Sequence, residues 1–138
     1  LEQGATKAGR SVDDLDRPQL VVCSVHEDRS TAINMARNMV AQYLGQQPHI
    51  MEASGVPKSL LESVGEVLTW PATHEQVEAA AKLVPDEIVQ MLTASGTAEE
   101  ARAAVEGYMS NGCTSPVLYP LGDVYATIDA FAGWTGSE

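Results

Sequence analysis

Apolar residues recur along this chain in two rhythms, a three-to-four-residue stripe over most of its length and two short unbroken runs. The runs set the architecture. Leu20-Val21-Val22-Cys23-Ser24-Val25 follows Arg17-Pro18, is dense in β-branched residues and stops at His26-Glu27-Asp28-Arg29-Ser30, which predicts a strand. Ser115-Pro116-Val117-Leu118-Tyr119-Pro120-Leu121 is the second run. It lacks the strict alternation of a strand wetted on one side, as suits a parallel strand covered on both faces. Its two prolines each remove an amide donor, so they belong near strand ends or where pairing is incomplete.

Between the runs the stripe predicts helices at about 29–44, 57–68, 73–83 and 85–94. The first carries Ala32, Ile33, Met35, Ala36, Met39, Val40, Tyr43 and Leu44 on one face; the others open at Pro57, at a Thr73 cap with Gln76 as its partner, and with Pro85 in the first turn. The order reads αβααααβα. Strands so far apart, joined by helices, are expected to pair parallel through right-handed crossovers.

The segment from Pro85 to Asp123 is the most explicit. Gly96 permits a cheap reversal, Thr97 offers a hydroxyl to an orphan helix N–H, and Glu100 completes a capping box, so a helix starts at Ala98. Ala101, Ala104, Val105, Tyr108 and Met109 continue it until Asn111-Gly112 ends it. Two parallel strands make too small a sheet to stand alone. Leu1–Arg10 also reads as a helix in mid-course, so the pattern is expected to be a remnant of a larger αβ array. The chain is treated as one unit, 1–138, with a possible loop at 45–57.

Composition narrows the function classes. With 44% hydrophobic residues the chain can bury a core. A net charge of −11 disfavours nucleic acid, whose phosphates need a basic surface. No run approaches the roughly 18 apolar residues of a membrane span, and the start is unlike a signal peptide; a cytoplasmic protein with no membrane partner is expected. Cys23 and Cys113 are too few for a disulfide framework or zinc site, and His49 and His74 lack partners at metal-ligand spacing, so no metal is expected. The five methionines fall mainly on helical apolar faces, as core filling does. No glycine-rich phosphate loop, nucleophile elbow or paired-carboxylate motif is present.

Four motifs in order, Leu83-Val84-Pro85-Asp86-Glu87-Ile88-Val89, Ser95-Gly96-Thr97-Ala98-Glu99-Glu100-Ala101, Tyr108-Met109-Ser110-Asn111-Gly112-Cys113 and Pro116-Val117-Leu118-Tyr119-Pro120, resemble the end of the bacterial luciferase-like monooxygenase family. The nearest branch is that of the deazaflavin (coenzyme F420)-dependent enzymes related to methylenetetrahydromethanopterin reductase. Gly4–Leu15, the first strand and Glu27-Asp28-Arg29-Ser30-Thr31-Ala32 resemble the same family in the same order. The resemblance implies α/β architecture and part of a (β/α)8 TIM barrel, with Leu20–Val25 and Ser115–Leu121 as its seventh and eighth strands and Val124–Phe131 as the closing helix. It implies that the full-length parent is a flavin- or F420-dependent oxidoreductase, with F420 or FMN as cofactor and a small-molecule substrate, working by hydride transfer or by flavin activation of oxygen. It also implies that most of the cofactor site lies upstream of Leu1, so that the isolated chain is expected to bind no cofactor and to be inactive.

Site residues follow from position in such a barrel, whose functional groups stand at the strands' carboxyl ends. His26 is a pocket-rim candidate, beside the plain reading of a solvated residue at a strand-to-helix turn. Tyr119 and Asp123 are rim candidates beside simple packing and a helix cap. The catalytic residues are not identified. A phosphate at the Gly96-Thr97 cap is opposed by Glu99 and Glu100, which already complement the helix dipole. Against the oxidoreductase reading stands a catalytically silent helical module that self-associates as a homo-oligomer to hide its sheet edges.

Overall fold

The computed structural model describes residues 1–135. Its elements are α1 (Glu2–Lys7), a 3-10 turn (Val12–Asp14), β1 (Pro18–Val25), α2 (Arg29–Gln46), α3 (Pro48–Ala53), α4 (Lys58–Val67), α5 (His74–Ala81), α6 (Asp86–Leu92), β2 (Ala94–Gly96), α7 (Ala98–Ser110), β3 (Ser115–Pro120) and α8 (Val124–Phe131). The three strands are all parallel and lie in the order β2-β1-β3. The two expected strands are neighbours, with Pro18–Cys23 level with Ser115–Pro120.

The third strand is a correction to the two-strand expectation. Ala94-Ser95-Gly96 pairs with Cys23–Val25 on the other side of β1, but three small residues carry no β-branched signal. The helix expected to reach 94 therefore stops at Leu92. Thr93 turns extended, and its hydroxyl donates to Val89 O at 2.7 Å. The expected loop at 45–57 is the last turn of α2, then α3 opened by Pro48, then a short link. Pro85 caps α6 from outside instead of sitting in its first turn. The order αβααααβα thus lacked α3 and β2, and it left out α7, whose start at Ala98 and end at Asn111-Gly112 the Thr97 box and the turn mark.

Alternation along β1 sends its side chains to two helical layers. Val21, Cys23 and Val25 pack with Ala94, with Ala101 and Val105 of α7, and with Ala130 of α8. On the other face Leu20 and Val22 share a cavity with Met39, Val40 and Tyr43 of α2. Behind it Ile33, Val40 and Leu44 of α2 close over Val64, Val77, Val84 and Val89. Opposite faces are what right-handed crossovers require, because the steps from β1 to β2 and from β2 to β3 run in opposite directions across the sheet. Among the described residues, no helix is long and apolar enough to cross a membrane.

Three capping boxes or caps on this frame match the sequence reading: Thr73 with Gln76, Thr97 with Glu100, and Asp123 at the start of α8. At the strands' amino ends, Arg17 bridges elements by donating to Gly112 O at 2.8 Å, while Thr114 and Ser115 hydroxyls donate to Asp16 at 2.6 Å. Leu44 is fully buried among α4, α5 and α6. Its truncation to alanine is expected to cost about 2–5 kcal/mol in chemical denaturation, whereas the same change at exposed Leu83 should fall within about 0.5 kcal/mol.

Candidate functional site

Parallel pairing aligns the carboxyl ends of β1, β2 and β3 at one end of the sheet, where loops of polar residues enter α2, α7 and α8. His26 leaves β1 there. Its main-chain N–H donates to Gly96 O at 3.2 Å, and its ring Nδ1 accepts from Asp28 N–H at 2.9 Å. Accepting at Nδ1 makes the neutral ring carry its proton on Nε2, so His26 presents Nε2–H as a donor. The ring borders a cavity of about 380 Å³ between α7 and α8, together with Glu27, Arg102 and Asp129. Arg102 is anchored by donating from Nε to Ala130 O at 2.5 Å.

Three carboxylates at this end of the sheet hold helix ends. Asp28 caps α2 by accepting from Thr31 N–H at 3.0 Å, and Asp123 caps α8 by accepting from Tyr125 N–H at 2.9 Å and Ala126 N–H at 3.2 Å. Glu100 accepts from Thr97 N–H at 2.9 Å through one oxygen and from Arg29 Nε at 2.8 Å through the other. That carboxylate fills the place a phosphate would need at the Gly96-Thr97 cap. Gly96 has φ +149°, and a Cβ there would stand 2.4 Å from Glu100 Oε2; the turn and the carboxylate require glycine together.

The three rim candidates do not converge. His26 opens toward α7 and α8, and Asp123 is consumed as a cap. Tyr119 is level with Val22, on the opposite face from Cys23, and is 46% exposed. Among the described residues no cluster of three or more His, Cys, Asp or Glu side chains is placed to hold a metal ion. His74 instead lies 3.2 Å from Glu78 one turn along α5. Burial pushes the Cys23 thiol up to about 11, so it is a protonated core group.

Sequence reasoning missed the group that ties these loops together. Arg29 reaches Gln90 Oε1 at 2.6 Å as well as Glu100, and Gln90 donates to Ser95 O at 3.1 Å. Arg37 donates to Val84 O and pairs with Asp86, which lies 3.9 Å from Arg29. A signal was present: Arg29 is the first residue of α2, where the helix dipole disfavours a cation unless a carboxylate stands opposite.

Comparison with known proteins gives a consistent result. The model of a family described as luciferase-like monooxygenase matches residues 1–115. The 5,10-methylenetetrahydromethanopterin reductase of Archaeoglobus fulgidus is 31% identical over 124 residues, covering 88% of this chain and 37% of that protein. The enzyme of the same name from Methanopyrus kandleri is 24% identical over 124 residues, covering 88% of this chain and 34% of its own. The solved structure of the coenzyme F420 dependent tetrahydromethanopterin reductase from Methanopyrus kandleri superposes with a TM-score of 0.79 at 22% identity, over 94% of this chain and 37% of that one. The chain thus spans little more than a third of the length of these relatives.

The caps make stability acid-sensitive in a defined direction. Thr97 N–H holds the Glu100 carboxyl below its ordinary value of 4.5, with Arg29 adding to it, against the opposing effect of burial; the Thr31 hydroxyl and N–H lower Asp28, and the Ser115 and Thr114 hydroxyls lower Asp16. Depressed folded-state values mean that the stabilisation is complete above the unfolded-state values and disappears as pH falls through the folded ones. The urea midpoint should be flat above the ordinary carboxylate range and fall below it, with a shallower fall in Glu100→Gln. Gly96→Ala should lower stability by more than about 1 kcal/mol, since it strains the turn and displaces Glu100.

Proposed function

Because the chain belongs to the luciferase-like monooxygenase family, we propose that it supplies the last βα units of an F420-dependent oxidoreductase barrel. The observation that carries this is the 31% identity over 88% of the chain, which runs through every strand carboxyl end described above. F420 is favoured over FMN because the named relatives are methylenetetrahydromethanopterin reductases, one of them described as dependent on coenzyme F420. When bound, the deazaflavin supplies hydride chemistry, and the protein supplies position and exclusion of water. The substrate class is a small carbon acceptor of the methylenetetrahydromethanopterin kind.

The residues of this chain do not by themselves fit a whole deazaflavin. Asp28, Glu100 and Asp123 at the strand ends are spent on helix caps, and the cavity there is bordered by His26, whose Nδ1 already accepts, with Glu27, Arg102 and Asp129. His26 is therefore assigned to the rim, where it can hold a polar group of ligand or substrate, and no proton-transfer step is assigned to it. Arg29, Gln90 and Glu100 are positioning residues that fix the β2 loop against which His26 N–H is bonded.

A chimera tests the reading. The matched 124 residues of the Archaeoglobus fulgidus enzyme are replaced by those of this chain, and F420 binding and methylenetetrahydromethanopterin-dependent F420 turnover are followed. A folded chimera should bind and turn over F420. A chimera with native helical content that binds FMN but not F420, or neither, would contradict the assignment. The isolated chain should leave F420 fluorescence unchanged at micromolar concentrations; saturable binding would show a complete site and overturn the rim assignment.

A further inference from the structure

The turn from β1 into α2 is fixed twice through His26. Its main-chain N–H donates to Gly96 O at 3.2 Å, which ties the turn to the end of β2. Its ring holds the turn from within, because Nδ1 accepts from Asp28 N–H at 2.9 Å. A main-chain amide can only donate, so this second bond exists only while Nδ1 carries no proton. Asp28 is also the cap of α2, its carboxylate accepting from Thr31 N–H at 3.0 Å and from the Thr31 hydroxyl at 2.5 Å. The amide that the ring holds and the carboxylate that starts the helix belong to one residue.

Imidazole is the side chain that ordinarily changes charge between about pH 5 and 8. Once Nδ1 takes a proton, two donors face each other and the bond to Asp28 N–H is lost. The charged groups around the ring, among the described residues, come from its own turn and from three helices. Glu27 and Asp28 follow it in the chain, Arg102 comes from α7 and Asp129 from α8, and His26, Glu27, Arg102 and Asp129 border one cavity of about 380 Å³. Arg29 of α2 and Glu100 of α7 are bonded to each other. Arg102, anchored to Ala130 O, repels a cationic ring. Among the described residues the side chains of Glu27 and Asp129 have no hydrogen bond or ion pair, so both are acceptors open to a protonated ring.

We propose that His26 is a pH-operated latch on the β1–α2 turn, holding Asp28 N–H as the neutral ring and releasing it as the imidazolium. Each release takes one proton from solvent and breaks one hydrogen bond, with no covalent change. The bond from His26 N–H to Gly96 O does not involve the ring, so the pairing of β1 with β2 persists and the movement is confined to the turn and the cavity rim. The Asp28 carboxyl takes no part. The Thr31 hydroxyl, then Thr31 N–H, hold it below the ordinary carboxylate value, so it stays ionised while the ring titrates. The bond that opens is exposed, and the ring gains carboxylate neighbours as it leaves the amide. The change is therefore local, and the urea midpoint stays flat through it. The latch is independent of the cofactor assignment.

Nitrogen-15 NMR of the full chain between about pH 8 and 5.5 tests it, with the rings of His49 and His74 as internal references. At the upper end the His26 ring should show a bare Nδ1 and a protonated Nε2. As the pH falls, the Asp28 amide should shift through the same midpoint as the His26 ring, and its protection factor against hydrogen exchange should drop at least fivefold, while that of the His26 amide holds. His26→Asn places a carbonyl oxygen near the position of Nδ1 and cannot titrate, so it should keep Asp28 N–H protected and remove the pH dependence; His26→Ala should leave that amide unprotected throughout. An Nδ1–H ring at the upper end, an Asp28 amide that does not follow the ring, or the same pH-dependent loss in His26→Asn would each overturn the proposal.

Discussion

The fold depends on the carboxyl half of one strand. Cys23–Val25 of β1 is paired to β2 on one side, Cys23 is also level with Pro120 of β3 on the other, and Cys23 itself is fully buried. Two-sided pairing removes main-chain polar groups from water without leaving them unpaired, which permits helices on both faces. The residues on one side of the strand become the core under α7 and α8, and those on the other meet α2. At its amino half, among the described residues, the same strand has a neighbour on only one edge, and there Leu20 is largely exposed.

From that junction the polar chemistry follows. His26, Gly96 and Gly122-Asp123 are where the chain leaves the paired region, and each exit enters a helix whose first N–H groups need partners. Asp28, Thr97 with Glu100, and Asp123 supply them. Arg29 then binds the α2 entrance to the α7 entrance through Glu100. Groups that look catalytic by position are mostly committed to holding helix ends. The ring of His26, an acceptor at Nδ1, stands beside a cavity at the same end.

Much of this was legible in the residues and some was not, for physical reasons. The two long strands, the Thr73 and Thr97 boxes and the Asp123 cap each have a local signature, because hydroxyl and carboxylate caps act within one turn. The parallel pairing of β1 with β3 and the likeness to reductases of the luciferase-like family were also readable. β2 was hidden because Ala94-Ser95-Gly96 has neither branched nor apolar bulk and is a strand only through its pairing with Cys23–Val25. α3 was hidden by glutamine, proline and glycine around it, which signal a loop although Pro48 here opens a helix. The Arg29, Gln90 and Glu100 group joins positions far apart in the chain, which no local pattern reveals. Tyr119 is placed by its register with Val22, whereas His26 lies past the end of β1 and borders the cavity between α7 and α8.

Amide hydrogen exchange along β1, measured on dilute protein, tests this half-paired strand most directly. The account predicts slow exchange at Val21, Cys23, Ser24 and His26, whose N–H groups face β3 or β2, and fast exchange at Leu20 and Val22. Uniform protection along the strand, or rapid exchange at Ser24 and His26, would contradict it.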